Sequence, residues 1–274
     1  MVEETLHSIS LYLPEIVIVV TLCVIIVADL VVKSQKQVAA WIMLGGLVIA
    51  GLFVMLQSGT VKSIFYDMAA VDPFAVFFKT LLILAGIFVV LFSLKNRELE
   101  DYSSRIGEYY MLFAGMMLGM MMMAGATNLL LMFLALEVTS ISSYVLAGFT
   151  KSSLRSSEGS MKYIIYGAVS SGVMLYGISL LIGVTAATDI YAINEALAAG
   201  VEQTLILNIS VLMIIVGLGF KIAVVPFHFW APDVYEGAPI TIAALLAVAS
   251  KIAAFAMIIR FFAVSFIDSA GLDS

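Results

Sequence analysis

Apolar residues fall in runs of about twenty, the length that crosses a bilayer's hydrocarbon, separated by short polar breaks. The runs predict spans over 12–32, 38–57, 74–94, 108–125, 128–149, 161–185, 205–236 and 240–263. The seventh is interrupted. In FKIAVVPFHFWAPDVYEGAP (220–239), Pro226, Pro232 and Pro239 account for three of the chain's five prolines, and Gly217 and Gly219 precede them. Proline lacks an N–H and clashes with the preceding turn, so this pattern predicts a broken helix. The fold class is therefore all-α: a polytopic membrane protein with about eight transmembrane helices. The break at 185–205 has room for a short surface helix in DIYAINEALAAG. The N-terminus, MVEETLHSIS, lacks the basic region of a cleaved signal, so 12–32 is expected to be a retained helix.

Composition strengthens this reading. The chain is 63% hydrophobic and 12% charged, against about 45–50% and about 25% in soluble domains. Its net charge is −6 and no basic patch marks it for nucleic acid. Cys23 is the only cysteine, which excludes an internal disulfide or a cysteine-based metal site. Basic residues alternate between breaks. Lys33 and Lys36 follow the first span, Lys95, Arg97 and Arg105 the third, and Lys151, Arg155 and Lys162 the fifth. The alternate breaks carry only Lys62 and Lys79, and none in 185–205. Cytoplasmic loops hold the excess of Lys and Arg, so the N-terminus and the tail 264–274 are expected outside. The breaks are too short for a soluble catalytic domain.

A charge at the centre of a membrane helix costs about 2.5–3.5 kcal/mol and is usually paired or faces water. Glu15 and Asp29, near the ends of the first span, are expected to reach the interface, and Lys79, Lys162 and Arg260 to snorkel from helix ends. Three other groups lie deeper. Glu137 is central in NLLLMFLALEVTSISSYVLAGF, with Ser140 and Tyr144 on the same helical stripe. Lys251 is central in the eighth span beside Ser250, and Lys221 lies deep in the seventh. One carboxylate and two amines at this depth suit proton or ion conduction; the alternative is a static ion pair that ties helices together. Pro226 is expected to free the Ile222 carbonyl beside Lys221, and such breaks recur in transporters. His228 has two readings, a proton relay or a side chain that packs and bonds freed backbone. Asp233 and Glu236 read as solvated residues or subunit contacts. Tyr166 and Ser170 share a face that would line a water file or bridge helices. The run MMLGMMMMAG (116–125) reads as packing, and Gly115 and Gly119 have a spacing that allows close helix approach. No motif binds NADH, flavin or an iron–sulfur cluster in this chain, and no metal site is expected.

The stretch FKIAVVPFHFWAPDVYEGAPITIAALLAVASKIAAF resembles the signature of the antiporter-like membrane subunits of respiratory complex I. PDVYEGAP points to one branch of that family, where others usually read LPDA. NLLLMFLALEVTSISSYVLAGF and SEGSMKYIIYGAVSSGVMLYGISLLIG are similar to its fifth and sixth helices in order and spacing. The resemblance implies about fourteen helices in two inverted five-helix repeats, each with a broken helix. Residues 108–263 would form the first repeat, a proton-translocation unit, after three N-terminal helices in 1–107. The second repeat, with its own broken helix and lysine, is not in this sequence. Glu137, Lys221 and Lys251 match the family's proton-carrying glutamate and lysines. Function would be proton pumping coupled to NADH-to-quinone electron transfer, as a subunit of that enzyme in an inner membrane. Partners would be the other membrane-arm subunits and lipid, with FMN, iron–sulfur clusters, NADH and quinone held by partner subunits. The alternative is a subunit of a related multisubunit cation/proton antiporter or membrane-bound hydrogenase.

Overall fold

The structure, a computed structural model, describes residues 2–31 and 37–267. Lys33 and Lys36, two of the charges used to orient the spans, and residues 268–274 of the expected tail lie outside the described residues. Twelve α-helices and one hairpin are described: α1 (Val2–Leu11), α2 (Leu13–Val31), α3 (Val38–Leu56), β1 (Lys62–Ile64), β2 (Ala69–Val71), α4 (Pro73–Ser93), α5 (Ile106–Gly125), α6 (Leu129–Ala147), α7 (Leu154–Thr185), α8 (Ile190–Ala198), α9 (Thr204–Ile222), α10 (Ala231–Gly237), α11 (Ile240–Ala247) and α12 (Ala249–Phe262). Among the described residues, eight spans are long and apolar enough to cross a membrane, α11 and α12 together making the eighth. The expected all-α polytopic architecture holds, with the small antiparallel hairpin as an addition.

Local chemistry sets the boundaries. Asp72 caps α4, its Oδ1 accepting the Ala75 N–H at 2.7 Å, with Pro73 at the first helical position where its missing N–H costs nothing. Asn128 caps α6 and Asp189 caps α8 in the same way. The last is the short helix expected in the 185–205 break. The sixth span starts at Leu154, earlier than expected, and α7 runs for 32 residues. At 1.5 Å per residue that is about 48 Å, well beyond the roughly 30 Å of hydrocarbon, so its polar first turns project from one end. There Lys162 pairs with Asp233 at 2.8 Å and with Glu158 at 2.7 Å, and Arg155 with Glu236 at 2.7 Å. These contacts dock α10 on α7, with the backbones close enough that a Cβ on Gly159 would stand 2.7 Å from the Asp233 carbonyl.

The eighth span is not continuous. It breaks at Val248 (φ −113°, ψ −71°), with no proline or glycine to announce the break.

The core centres on α5, the least hydropathic of the eight spans and the most enclosed. It contacts α2, α3, α4, α6 and α12. Met116, Met117, Met120, Met121 and Met123 are fully buried there, which agrees with the packing reading of the methionine run. Gly119 meets α6 closely enough that a Cβ would stand 2.7 Å from the Thr139 backbone nitrogen. Cys23 is exposed on the outer surface.

Two charge pairs depart from the expected snorkelling. Lys79 and Glu15 form an ion pair of 2.6 Å with side chains only 2% and 1% exposed. Arg260, 5% exposed, grips Asp72 with both terminal nitrogens at 2.7 and 2.9 Å, and reaches the Ala124 carbonyl at 3.2 Å. Each group meets an opposite charge on another element, so no charge is left buried and unpaired. Asp29 remains exposed, as expected. Burial alone would raise the Asp72 carboxyl. The hydrogen bonds and charge of Arg260, the Ala75 N–H and the charge of Lys79 outweigh it and hold the group below the usual carboxylate range.

Removing one partner of the Lys79–Glu15 pair strands a buried charge. Glu15→Gln or Lys79→Met alone should therefore destabilise the protein by about 3–5 kcal/mol, while the double variant recovers most of the loss in detergent thermal melts. The depressed Asp72 carboxyl contributes stability above the unfolded value, about pH 4. The difference in melting temperature between the native chain and Asp72→Asn should stay constant through neutral pH and shrink only as acid protonates Asp72.

Candidate functional site

The α9 helix ends at Ile222, one residue after Lys221. Ala223 takes a left-handed conformation (φ +57°), so the Ala223 N–H bonds the Phe220 carbonyl at 3.1 Å and the Val224 N–H bonds the Gly219 carbonyl at 2.9 Å. This reversal stops the helix three residues before Pro226. It corrects the expected cause, a proline clash at Ile222. The Phe220 carbonyl also accepts the Trp230 indole N–H at 3.1 Å from beyond the break. The carbonyls of Gly219 and Phe220 are thus occupied by protein donors, while Pro226, which has no N–H, offers none to the Ile222 carbonyl.

An aromatic cluster closes the gap between the two half-helices. Trp230, 2% exposed, stacks on Tyr163 of α7 with ring centroids 4.2 Å apart and planes within 10°. Phe220, on the other side of the break, lies 5.2 Å from Trp230 and 5.9 Å from Tyr163. Tyr144 of α6 meets Tyr163 edge-on at 4.6 Å. Tyr163, without a signal in its sequence surroundings, is therefore the platform on which the break rests.

Lys221 is 1% exposed and its Nζ donates to the Ser140 Oγ at 3.0 Å. Ser140 is itself fully buried, one turn along α6 from Glu137. Glu137 is half-buried, with Oε1 enclosed and lacking a hydrogen-bond partner. Among the described residues it makes no ion pair. Of the stripe of Glu137, Ser140 and Tyr144, the serine hydroxyl is the group in contact with the amine, while Tyr144 packs on α7.

Lys251 stands apart from this contact. It lies in the first turn of α12, directly after the Val248 break, half-buried with its Nζ 5.9 Å from the centre of the Tyr235 ring. The enclosed Tyr235 hydroxyl has no partner, and its ring lies 6.4 Å from that of Trp230. Tyr235 and Trp230 thus join the two breaks. His228 stacks on Phe229 at 4.7 Å, and its enclosed Nδ1 has no hydrogen-bond partner. Trp230 is the side chain that bonds the freed backbone. Ser170 is buried, but Tyr166 is 46% exposed on the outer face. Among the described residues no group of histidines, cysteines and carboxylates could hold a metal ion.

Comparison with known proteins bears on this arrangement. Residues 126–271, more than half of the chain, match the sequence profile of the NADH:quinone oxidoreductase/Mrp antiporter transmembrane family. The chain belongs to that family. The antiporter-family match covers α6 to α12, the elements that carry Glu137, Lys221 and Lys251. NADH-quinone oxidoreductase subunit N 2 of Chloroherpeton thalassium is 48% identical over 96% of this chain and 52% of its own length. NAD(P)H-quinone oxidoreductase subunit 2 of Thermosynechococcus vestitus is 39% identical over 93% of this chain and 49% of its own. Respiratory complex I from Thermus thermophilus with bound aureothin contains a chain that superposes with a TM-score of 0.77 at 30% identity, over 90% of this chain and 52% of that one. A chain of an archaeal membrane-bound sulfane sulfur reductase superposes at 0.78 with 22% identity, a likeness of fold. This chain spans about half the length of the curated relatives it matches.

The Trp230 N–H is the side-chain donor that ties the two half-helices together. Trp230→Phe keeps the stack on Tyr163 but removes that donor, and should cost about 1–3 kcal/mol in thermal melts, with faster proteolysis across 223–230.

Proposed function

We propose that this chain is a proton-translocating membrane subunit of an NADH-quinone oxidoreductase, coupling NADH-to-quinone electron transfer in partner subunits to proton pumping. The observation that carries the reading is the buried Lys221, hydrogen-bonded to Ser140 beside a broken helix with Glu137 one turn away. An ammonium at this depth costs energy unless compensated. Ser140 offers it a hydroxyl that accepts its N–H and rotates to pass a proton on. Glu137 supplies the opposite charge without closing on the amine. Movement of the carboxylate toward and away from the amine would alternately hold the charged lysine and let its proton pass on.

Residues 108–263 form the translocation unit and 1–107 its three accompanying spans, with the tail 264–274 extracytoplasmic. The protein lies in an inner membrane with its N-terminus outside, so the proton reaches Lys221 from the cytoplasmic end, where α10 docks on α7. Lys251, across Tyr235, receives it on the way outward, and His228 stands near the entrance as a relay. FMN, iron–sulfur clusters, NADH and quinone are handled by partner subunits of the membrane complex.

The relatives named NADH-quinone oxidoreductase subunit N support this reading over that of a multisubunit cation/proton antiporter or hydrogenase-linked subunit, although the family profile covers antiporters too. A sodium–proton exchange assay on the separately expressed chain separates the two. Lys221→Met in the assembled complex should leave NADH oxidation by artificial acceptors unchanged and lower quinone-linked proton pumping about tenfold or more. Undiminished pumping would overturn the reading.

A further inference from the structure

The eighth span, which carries Lys251, is held at both ends by residues flanking α4. At its start, the Ile240 N–H donates to the Glu98 carboxylate at 2.9 Å, and the hydroxyls of Thr241 and Tyr109 meet at 2.8 Å. Glu98 lies in the connection that leaves α4. At its far end, Arg260 grips Asp72, the cap on which α4 begins. The same guanidinium bonds the Ala124 carbonyl in the last turn of α5 and lies 4.8 Å above the Phe74 ring. Between these two anchors the span is broken, and Lys251 sits three residues past the break.

We infer that Asp72 and Arg260 are positioning residues that set where Lys251 lies relative to Tyr235. Residues 249–262 are a single continuous helix, and Arg260 is about two and a half turns beyond Lys251 on it. A bidentate guanidinium–carboxylate pair fixes orientation as well as distance, which a single-point contact does not. With the far end fixed in this way, rotation or sliding of the half-helix is absorbed at Val248, directly beside Lys251. Asp72 also feels the charge of Lys79, which the buried pair with Glu15 ties to α2. The three N-terminal spans, outside the proposed translocation unit, thereby take a part in it: they hold the frame against which the Lys251 half-helix is set.

This inference rests on the proposed role of Lys251, and its test keeps the two separable. Cys23 is the chain's only cysteine, so with it removed a cysteine at 251 is the only thiol in this chain, and its labelling is read on this chain after the subunits are separated. In the assembled complex with Cys23→Ser and Lys251→Cys, the alkylation rate at position 251 is compared among Arg260, Arg260→Lys and the paired variant Asp72→Asn/Arg260→Gln. The lysine keeps the charge but loses the fork, and the paired variant leaves no buried charge stranded should either single change fail to assemble. Positioning predicts that both variants shift the rate by about fivefold or more, and that with Lys251 restored both lower protons pumped per NADH. Complex abundance and NADH oxidation by artificial acceptors stay unchanged. Equal alkylation rates in all three backgrounds overturn the inference, as does full pumping with Arg260→Lys. Undiminished pumping in Lys251→Cys sinks the role of Lys251 itself, while the alkylation comparison still decides whether the pair positions it.

Discussion

A peptide group with no partner costs several kcal/mol in hydrocarbon, and the site depends on how this chain meets that constraint where α9 stops. The reversal at Ala223 supplies two backbone donors, and the Trp230 indole supplies a third from the far side of the break. Trp230 reaches that carbonyl because Tyr163 holds its ring in a flat stack. Tyr163 in turn belongs to α7, whose length past the hydrocarbon gives α10 a surface to dock on. Lys221 is thus fixed at the end of a helix whose Gly219 and Phe220 carbonyls are met by protein donors, and its amine is left to a single serine hydroxyl.

The sequence revealed the elements with signatures in residue type. Runs of about twenty apolar residues gave the spans, the prolines and glycines of 217–239 gave the broken seventh helix, and the length of the 185–205 break left room for α8. It also singled out Glu137, Lys221 and Lys251 as charges at depth. Less visible was anything decided by a distant partner. Glu15 and Lys79 looked like interface residues because the pairing that buries them joins α2 to α4, and Arg260 because Asp72 is on another element. The Val248 break has neither proline nor glycine, so nothing local distinguishes it from continuous helix. Pro226 drew attention to the right place, though the helix itself ends three residues earlier, at the left-handed Ala223.

The two interrupted spans are related through one short segment. From α10, Tyr235 faces Lys251, and Trp230 at the same segment's edge closes the seventh span. Salt bridges from Lys162 and Arg155 hold this segment to α7 in exposed, screened positions, whereas the contacts nearer the lysines are aromatic and enclosed. Strong shape constraint surrounds the amines, and weaker electrostatic fastening is kept for the rim.

The methionines at the centre of α5 have a mechanical consequence. An unbranched thioether side chain changes rotamer at low cost and refills a gap that a β-branched residue would leave open. Five of them lie buried in the helix that α2, α4, α6 and α12 all lean on. The middle of the bundle therefore acts as a compliant bearing: neighbouring helices can shift by fractions of an ångström across it without opening voids, while the ionic contacts at the rim and ends keep their registration.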